Sequence, residues 1–434
     1  MSEAYREFIA RKRARGGDDD GIRDAALPDR LFAHQAVATR FALERRRAAL
    51  FLATGLGKSG CAAAWADAVS RRERRPVLIL TPLAVAPQMR RECEAFGVDA
   101  EVVRGPGGAC PVQICNYERM HGLDPDGYAG VVCDESSILK SFDGRTRTML
   151  TERFARTPWR LCCTATPSPN DIMELTTHSE FLGRMGRMEM LCRWFVNDAG
   201  EASRKWRLKG HAAADFWRWT ATWAMAMNLP SDVGGCDDGY VLDPISEVTR
   251  VVDADAPTDG ALFRLERSSA TSMHAEKRAS LDARCGLAAE IANAHDGAAI
   301  VWCQRNDEST ALARAIPDAV EVHGSLGIDE KEARLTAFAE GRERVLVTKP
   351  RMAGFGLNLQ HVDCQVFASL NHSFEQYYQA VRRSWRFGQE RPVTVHRIVS
   401  VAEQSVISNI ERKSRDHETM CGALVAAMQR ETNA

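Results

Sequence analysis

The pattern of apolar and polar positions divides the chain into stretches of different character. Over residues 27–170, short β-rich apolar runs alternate with helix-patterned segments, as in a parallel α/β sheet. The strands this predicts are Ala49–Ala53, Val77–Thr81, Val112–Cys115, Val131–Asp134 and Arg160–Thr164. The alternation returns over residues 297–400, with strands expected at Ala299–Gln304, Ala319–His323, Val345–Thr348, Cys364–Ala368 and Val393–Val399. Between them the chain has few strand-like runs and five of its nine tryptophans, so it reads as mainly helical, broken by a Gly/Asp-rich turn at Val233–Tyr240. The last thirty residues have the pattern of one or two helices.

The fold class this implies is α/β: two tandem parallel-sheet lobes with a mainly helical middle insertion. The expected divisions are a flexible segment at 1–26, a first lobe at 27–175, a helical insertion and interlobe linker at 176–296, a second lobe at 297–402, and C-terminal helices at 403–434. A length of 434 residues suits two or three domains.

Composition changes the picture in three places. No run approaches the roughly 18 apolar residues of a membrane span, and Met1 to Asp20 is polar and mixed in charge, unlike a secretory signal. No membrane association is expected, and a cytoplasmic protein is. The thirteen cysteines include no Cys-x-x-Cys pair and no zinc-like spacing, so reduced, buried thiols are expected. The net charge of −1 does not advertise a nucleic-acid binder. Phosphate binding needs only a local basic surface, however, and Arg11–Arg15, Arg204–Lys209 and Arg382–Arg397 provide basic clusters.

The sharpest chemical signal is Leu52-Ala-Thr-Gly-Leu-Gly-Lys-Ser59, with an apolar run before it and the helix-prone Cys61–Val69 after it. Strand, glycine-rich turn and helix are the context a phosphate-cradling loop demands. In the Thr54-Gly55-Leu56-Gly57 turn the glycines let backbone N–H groups point at phosphate oxygens, and the helix N-terminus adds partial positive charge. Lys58 would reach the β- and γ-phosphates of ATP, and the Ser59 hydroxyl would hold Mg²⁺. The general pattern has glycine where this chain has Leu52. About 75 residues downstream, Gly130-Val-Val-Cys133 delivers Asp134 and Glu135 to the end of a strand, where open α/β sheets bind ligands. Asp134 would hold Mg²⁺ through its water shell, and Glu135 would orient and polarise the attacking water.

The order of motifs resembles a compact Swi/Snf-type member of helicase superfamily two, of the small form often carried by bacteriophages. Its phosphate loops lack the first glycine too. Leu31-Phe-Ala-His-Gln35 resembles the adenine-reading element, with Gln35 as reader. Leu80-Thr-Pro-Leu83 and Ile114-Cys-Asn-Tyr-Glu118 resemble nucleic-acid-contacting motifs, which implies contacts through Thr81, Pro82 and Asn116. Asp134-Glu-Ser-Ser-Ile-Leu-Lys-Ser141 is similar to the acidic box, with Ser137 where many relatives carry histidine. Thr164-Ala-Thr-Pro-Ser-Pro-Asn170 is similar to the coupling motif.

In the second lobe, Ile300–Gln304 and His323-Gly-Ser325 fall in their expected places. Ala353-Gly-Phe-Gly-Leu-Asn-Leu359 resembles the fifth motif, and Gln379-Ala-Val-Arg-Arg-Ser-Trp-Arg-Phe-Gly-Gln389 the sixth, with Arg382 where the family usually has glycine. The resemblance implies RecA-like lobes, ATP hydrolysis, and Arg383 and Arg386 as arginine fingers, both expected on one face of a helix. It also implies that Thr164 and Thr166, with Gly356 and Asn358, relay the nucleotide state. The expected activity is an ATP-dependent DNA translocase or helicase in a bacterial or phage-infected cell. Duplex DNA is favoured over single-stranded DNA, and RNA is a lesser alternative.

Two readings stay open. The basic run Arg204-Lys205-Trp206-Arg207-Leu208-Lys209 suits phosphate contact with base stacking from a helical protrusion. It suits equally a solvated helix with Trp206 in a small core. The chain as a whole could also be a nucleotide-gated clamp that grips without moving, which hydrolysis would exclude. A P-loop kinase or GTPase would leave the second lobe unexplained.

Overall fold

The computed structural model describes residues 21–82, 85–140, 144–169, 171–198, 205–252, 278–353 and 357–432. The chain forms two units, Met1–Asp238 with Asp416–Ala434, and Gly239–Arg415. The basic run Arg11–Arg15, Arg204 and Gly356 lie outside the described residues.

The first unit is built on strands β1 (Arg47–Leu52), β2 (Val77–Thr81), β3 (Ala100–Val102), β4 (Val112–Asn116), β5 (Gly130–Asp134), β6 (Trp159–Cys163) and, after a two-stranded hairpin of β7 (Phe195–Asp198) and β8 (Lys205–Leu208), β9 (Ala224–Met227). Its seven-stranded sheet runs β3-β4-β2-β5-β6-β1-β9, and every pairing is parallel. Runs such as Val77-Leu-Ile-Leu80 have no polar alternation because both faces of a parallel sheet are covered; all four are fully buried. The helix Lys58–Glu73 packs its small residues Ala62, Ala63, Ala64 and Ala66 without exposure, and Trp65 sets its edge on Trp159 with ring centroids 6.2 Å apart. Gly130 suits this contact, since a Cβ there would lie 3.0 Å from Trp159 Cβ, a tight approach.

The second unit holds a six-stranded sheet of order β10-β15-β14-β11-β13-β12, also parallel throughout. Its strands are β10 (Ser246–Val252), β11 (Ala298–Trp302), β12 (Ala319–Val322), β13 (Val345–Thr348), β14 (Val362–Phe367) and β15 (Thr394–Ser400). Edge strand β10 is tied in by polar side chains: Arg397 pairs with Glu247 at 3.0 Å, and Tyr377 donates to the same carboxylate.

All ten expected strands are present, each within two residues at its ends. The two-lobe parallel architecture is that of RecA-like folds, and among its described residues the middle segment holds more helix than strand. Two details differ from expectation. Residues 176–238 belong to the first unit, because β9 pairs with β1 from Ala49↔Ala224 to Leu52↔Met227. Three of their tryptophans pack into it: Trp194 lies 5.6 Å from Phe216 and 4.8 Å from Trp219, and Trp223 packs against Phe51 of β1. The basic run is a strand and not a helix, since Lys205–Leu208 pairs antiparallel with Phe195–Asp198. At the C-terminus one helix, Gln404–Thr432, changes unit at Asp416.

Ten of the thirteen cysteines are buried, Cys192 and Cys236 are exposed, and all are free thiols. Among the described residues no helix is long and apolar enough to cross a membrane.

One buried ion pair organises the second sheet. Arg284 and Glu308, both without exposure, meet at 2.8 Å. Glu308 Oε2 also accepts from the backbone of Gln304 and from Ser369 Oγ, while Arg284 donates to the carbonyl of Ala368. Burial alone would raise the Glu308 carboxyl, but Arg284 and these donors together hold it below its ordinary value. Removing one partner strands the other charge, so Arg284→Ala is expected to lower stability by about 3–5 kcal/mol in denaturant unfolding. Replacing both by apolar residues of similar volume should cost far less. Equal losses for the single and the double change would contradict this assignment.

Candidate nucleotide-hydrolysis site

Parallel pairing puts the C-terminal ends of all strands of the first sheet on one edge. The strand order then fixes the order of the side chains there: Asn116 ending β4, Thr81 ending β2, Asp134 ending β5 with Glu135 next, Thr164 after β6, and the glycine-rich loop after β1. Nucleotide candidates therefore occupy one end of the row and nucleic-acid candidates the other, with the carboxylates between them.

The loop has the geometry a phosphate cradle needs. Gly55 and Gly57 adopt φ of 98° and 78°, a region that side chains rarely tolerate. Gly57 is also closed by contact, because a Cβ there would lie 2.0 Å from Gln35 Nε2. Lys58 Nζ rests on the carbonyls of Leu52 and Ala53 at 2.9 and 3.3 Å. Thr54 Oγ1 is buried without a hydrogen-bond partner. These features fit a triphosphate, with Ser59 at the start of the helix Lys58–Glu73 and Asp134 at the end of β5 as the residues to share its magnesium ion.

Gln35 is almost fully buried, and its amide is in use at both ends. Its Oε1 accepts from Phe32 N at 3.0 Å, and its Nε2 donates to Leu56 O at 3.4 Å. In this structure Gln35 thus joins the start of the helix Ala33–Arg45 to the loop, and reading a base would require it to exchange partners.

The carboxylate pair is unequally held. Asp134 continues the strand, and Tyr117 Oη donates to its carbonyl at 2.7 Å. Glu135 has φ 55°, a left-handed backbone that costs a non-glycine residue on the order of 1–3 kcal/mol. Its side chain is held in return: Thr164 Oγ1 donates to Glu135 Oε1 at 2.5 Å and Ser137 Oγ at 3.1 Å. Thr164 Oγ1 in turn accepts from the backbone N–H of Thr166 at 3.0 Å. The serine at position 137 thus takes part in holding the carboxylate.

Sequence reading missed the support beneath this pair. Ser136 Oγ lies 3.2 Å from His178 Nε2, and the imidazole packs edge-on against Phe51, at 5.4 Å, just before the loop. His178 is on the helix Leu175–Leu182, whose Thr176, Thr177 and Ser179 are also fully buried and bond nearby carbonyls. A run of Thr-Thr-His-Ser has the composition of an exposed face, so nothing in the sequence marks it as buried.

The remaining expected residues are placed as follows. Thr81 and Asn116 are register partners and both are buried, with Pro82 half-buried beside them. Arg207 is exposed on β8, Trp206 is half-buried, and Lys205 is on the same strand.

In the second unit Asn358 is exposed. The helix expected to carry both arginine fingers ends at Val381, because Arg382 caps it and the chain turns. Arg383 is buried. Its guanidinium donates to Gln379 O, Gln379 Oε1 and Leu357 O at 3.0, 2.6 and 3.3 Å, which knits the sixth motif to the fifth. Arg386 is half-exposed in the turn.

Residues 283–388 match the family described as the helicase conserved C-terminal domain. That match covers one domain of the chain, within the second unit. Many solved structures share this fold, two of them complexes of one protein. S. cerevisiae Dbp5 bound to RNA and ADP BeF3 aligns with a TM-score of 0.57 at 12% identity, covering 92% of this chain and 93% of that one. A single-site variant of Dbp5 in the same complex gives 0.57 at 13% identity, covering 91% and 93%. No curated protein matches the chain in sequence.

Burial holds His178 down, at about 4 against an ordinary 6.5, so it is neutral in the folded chain. The unfolded chain takes up a proton first as pH falls, so this residue's contribution is lost from about pH 6.5 down towards 4. By linkage, it accounts for roughly 2 kcal/mol of stability lost between about pH 7 and about pH 5. Denaturant unfolding at both pH values should show a smaller difference for His178→Leu than for the parent. An identical difference in the two would contradict a buried neutral imidazole.

Proposed function

We propose that the chain is an ATP-hydrolysing motor acting on nucleic acid, duplex DNA above all. The observation that carries this is the Thr164–Glu135 hydrogen bond beside the glycine-rich loop. It ties the carboxylate suited to orient the attacking water to the coupling motif, in a chain that also has a helicase C-terminal domain.

In this reading Lys58 and the loop N–H groups hold the β- and γ-phosphates, and Ser59 and Asp134 hold Mg²⁺, which when bound neutralises phosphate charge. Glu135 polarises the water. Arg386 supplies the positive charge for the transition state, an element typically worth about 10³–10⁵ in rate. Arg383, committed to Gln379 and Leu357, braces that motif from within. Thr164 and Thr166, with Gly356 and Asn358, pass the nucleotide state to the groups that grip the polymer. Thr81, Pro82, Asn116 and the exposed Arg207 are the contact candidates, with Arg204 and Lys205 beside it. Grip on backbone phosphates would be salt-sensitive and largely blind to sequence.

The Swi/Snf-like order of motifs favours duplex DNA. The RNA in both Dbp5 complexes favours a second reading, an RNA motor on the same machinery. ATP hydrolysis at low salt, measured alone and with duplex DNA, single-stranded DNA or RNA, separates them. Strong stimulation by duplex DNA that disappears in Lys58→Ala is expected. Stimulation by RNA alone would keep the motor and change its track. Tight nucleotide binding without hydrolysis on any polymer would leave a nucleotide-gated clamp.

A further inference from the structure

Arg386 sits in a turn that is gripped from both sides. On one side is Trp385, whose Nε1 donates to the carbonyl of Asp243 at 2.8 Å. On the other is Phe387, whose ring stacks on Tyr240 with centroids 4.4 Å apart and planes 26° from parallel. Gly239, at φ 77°, lets the chain lie against that ring; a Cβ there would come within 3.0 Å of Phe387. The carbonyl of Phe387 accepts from Gln360 Nε2. Arg382 adds a further tie, its guanidinium lying 4.8 Å from the ring centre of Tyr378 and 4.2 Å from that of Trp385. Cation–π contacts of this kind fix an indole against a neighbouring helix, which gives the unexpected arginine a role.

The partners of the two aromatic side chains, Tyr240 against Phe387 and Asp243 against Trp385, come from one short segment, Gly239–Asp243, the first residues of the second unit. Just before it, Asp237 is held in the first unit, where its carboxylate accepts from Ser231 N at 2.8 Å. Only Asp238 and Gly239 separate that anchor from Tyr240.

We propose that Gly239–Asp243 is a strap that positions Arg386 for hydrolysis, with Tyr240 as its principal positioning residue through the stack on Phe387. This rests on the reading of Arg386 as the charge that completes the ATP site. The strap acts through the turn and touches no substrate.

The test is polymer-stimulated ATP hydrolysis by the full chain, with kcat and KM for ATP measured separately. Tyr240→Ala is expected to lower kcat about 10- to 100-fold, since small misplacements of a catalytic group cost that much, and to leave KM for ATP nearly unchanged. Tyr240→Phe keeps the ring and should restore kcat. Phe387→Leu should reproduce the loss, and the Tyr240→Ala/Phe387→Leu pair should lose no more than either single change. If Tyr240→Ala fails to fold, Phe387→Leu against Phe387→Tyr gives the same comparison.

A parent-like kcat in Tyr240→Ala, or an additive loss in the pair, would overturn the strap and leave the motor reading intact. A parent-like kcat in Arg386→Ala would overturn the finger assignment and the strap with it. A parent chain that hydrolyses no ATP would instead sink the motor reading on which both depend.

Discussion

Parallel pairing of β5, β6 and β1 is the constraint on which the rest of the candidate site depends. The register sets Asp134 and Leu50 opposite the same residue, Cys163. The carboxylate strand and the loop strand therefore stand two strand spacings apart, about 10 Å. Their loops emerge on the same edge, with Thr164 rising from the strand between them. Thr164 is thus the one residue of that row whose neighbours on either side are the carboxylates and the phosphate loop. Its hydroxyl bridges Glu135 and the backbone of Thr166, so the position of the carboxylate and the path of the chain after β6 are one geometric fact.

Around this edge the chain is held by buried polar groups as much as by apolar packing. In the first unit, the helix Leu175–Leu182 carries buried hydroxyls and an imidazole to the underside of the acidic box. In the second, Arg284 with Glu308, and Arg383 with Gln379, fix the loops at strand ends. Buried polar networks are directional where apolar contacts are not, and an unsatisfied member is costly. That suits segments whose backbone must be held in unusual conformations, such as Glu135 at φ 55°.

Much of this was legible in the residues. Continuous apolar runs such as Val77–Thr81 and Val345–Thr348 announce buried parallel strands, and glycines at 55 and 57 before Lys58 announce a loop with positive φ. Short or exposed strands were not legible. β9 is Ala-Met-Ala-Met, which has no strand signature and pairs only because β1 offers an edge, and β10 is largely exposed and held by polar ties to β15. The expected helix through Arg383 and Arg386 failed because the helix stops where Arg382 turns onto Tyr378 and Trp385. The role of His178 was invisible because its partner Ser136 is 42 residues away in the chain.

The central claim is that Glu135 acts on the attacking water while the loop holds the triphosphate. The most direct measurement is single-turnover hydrolysis alongside ATP affinity in Glu135→Gln, an isosteric change that keeps an oxygen for Thr164. The account predicts near-parental ATP affinity and a hydrolytic step slowed at least about 100-fold, the scale of a lost general base. A hydrolytic step at the parental rate would contradict it, and would move the chemistry away from the Thr164–Glu135 pair.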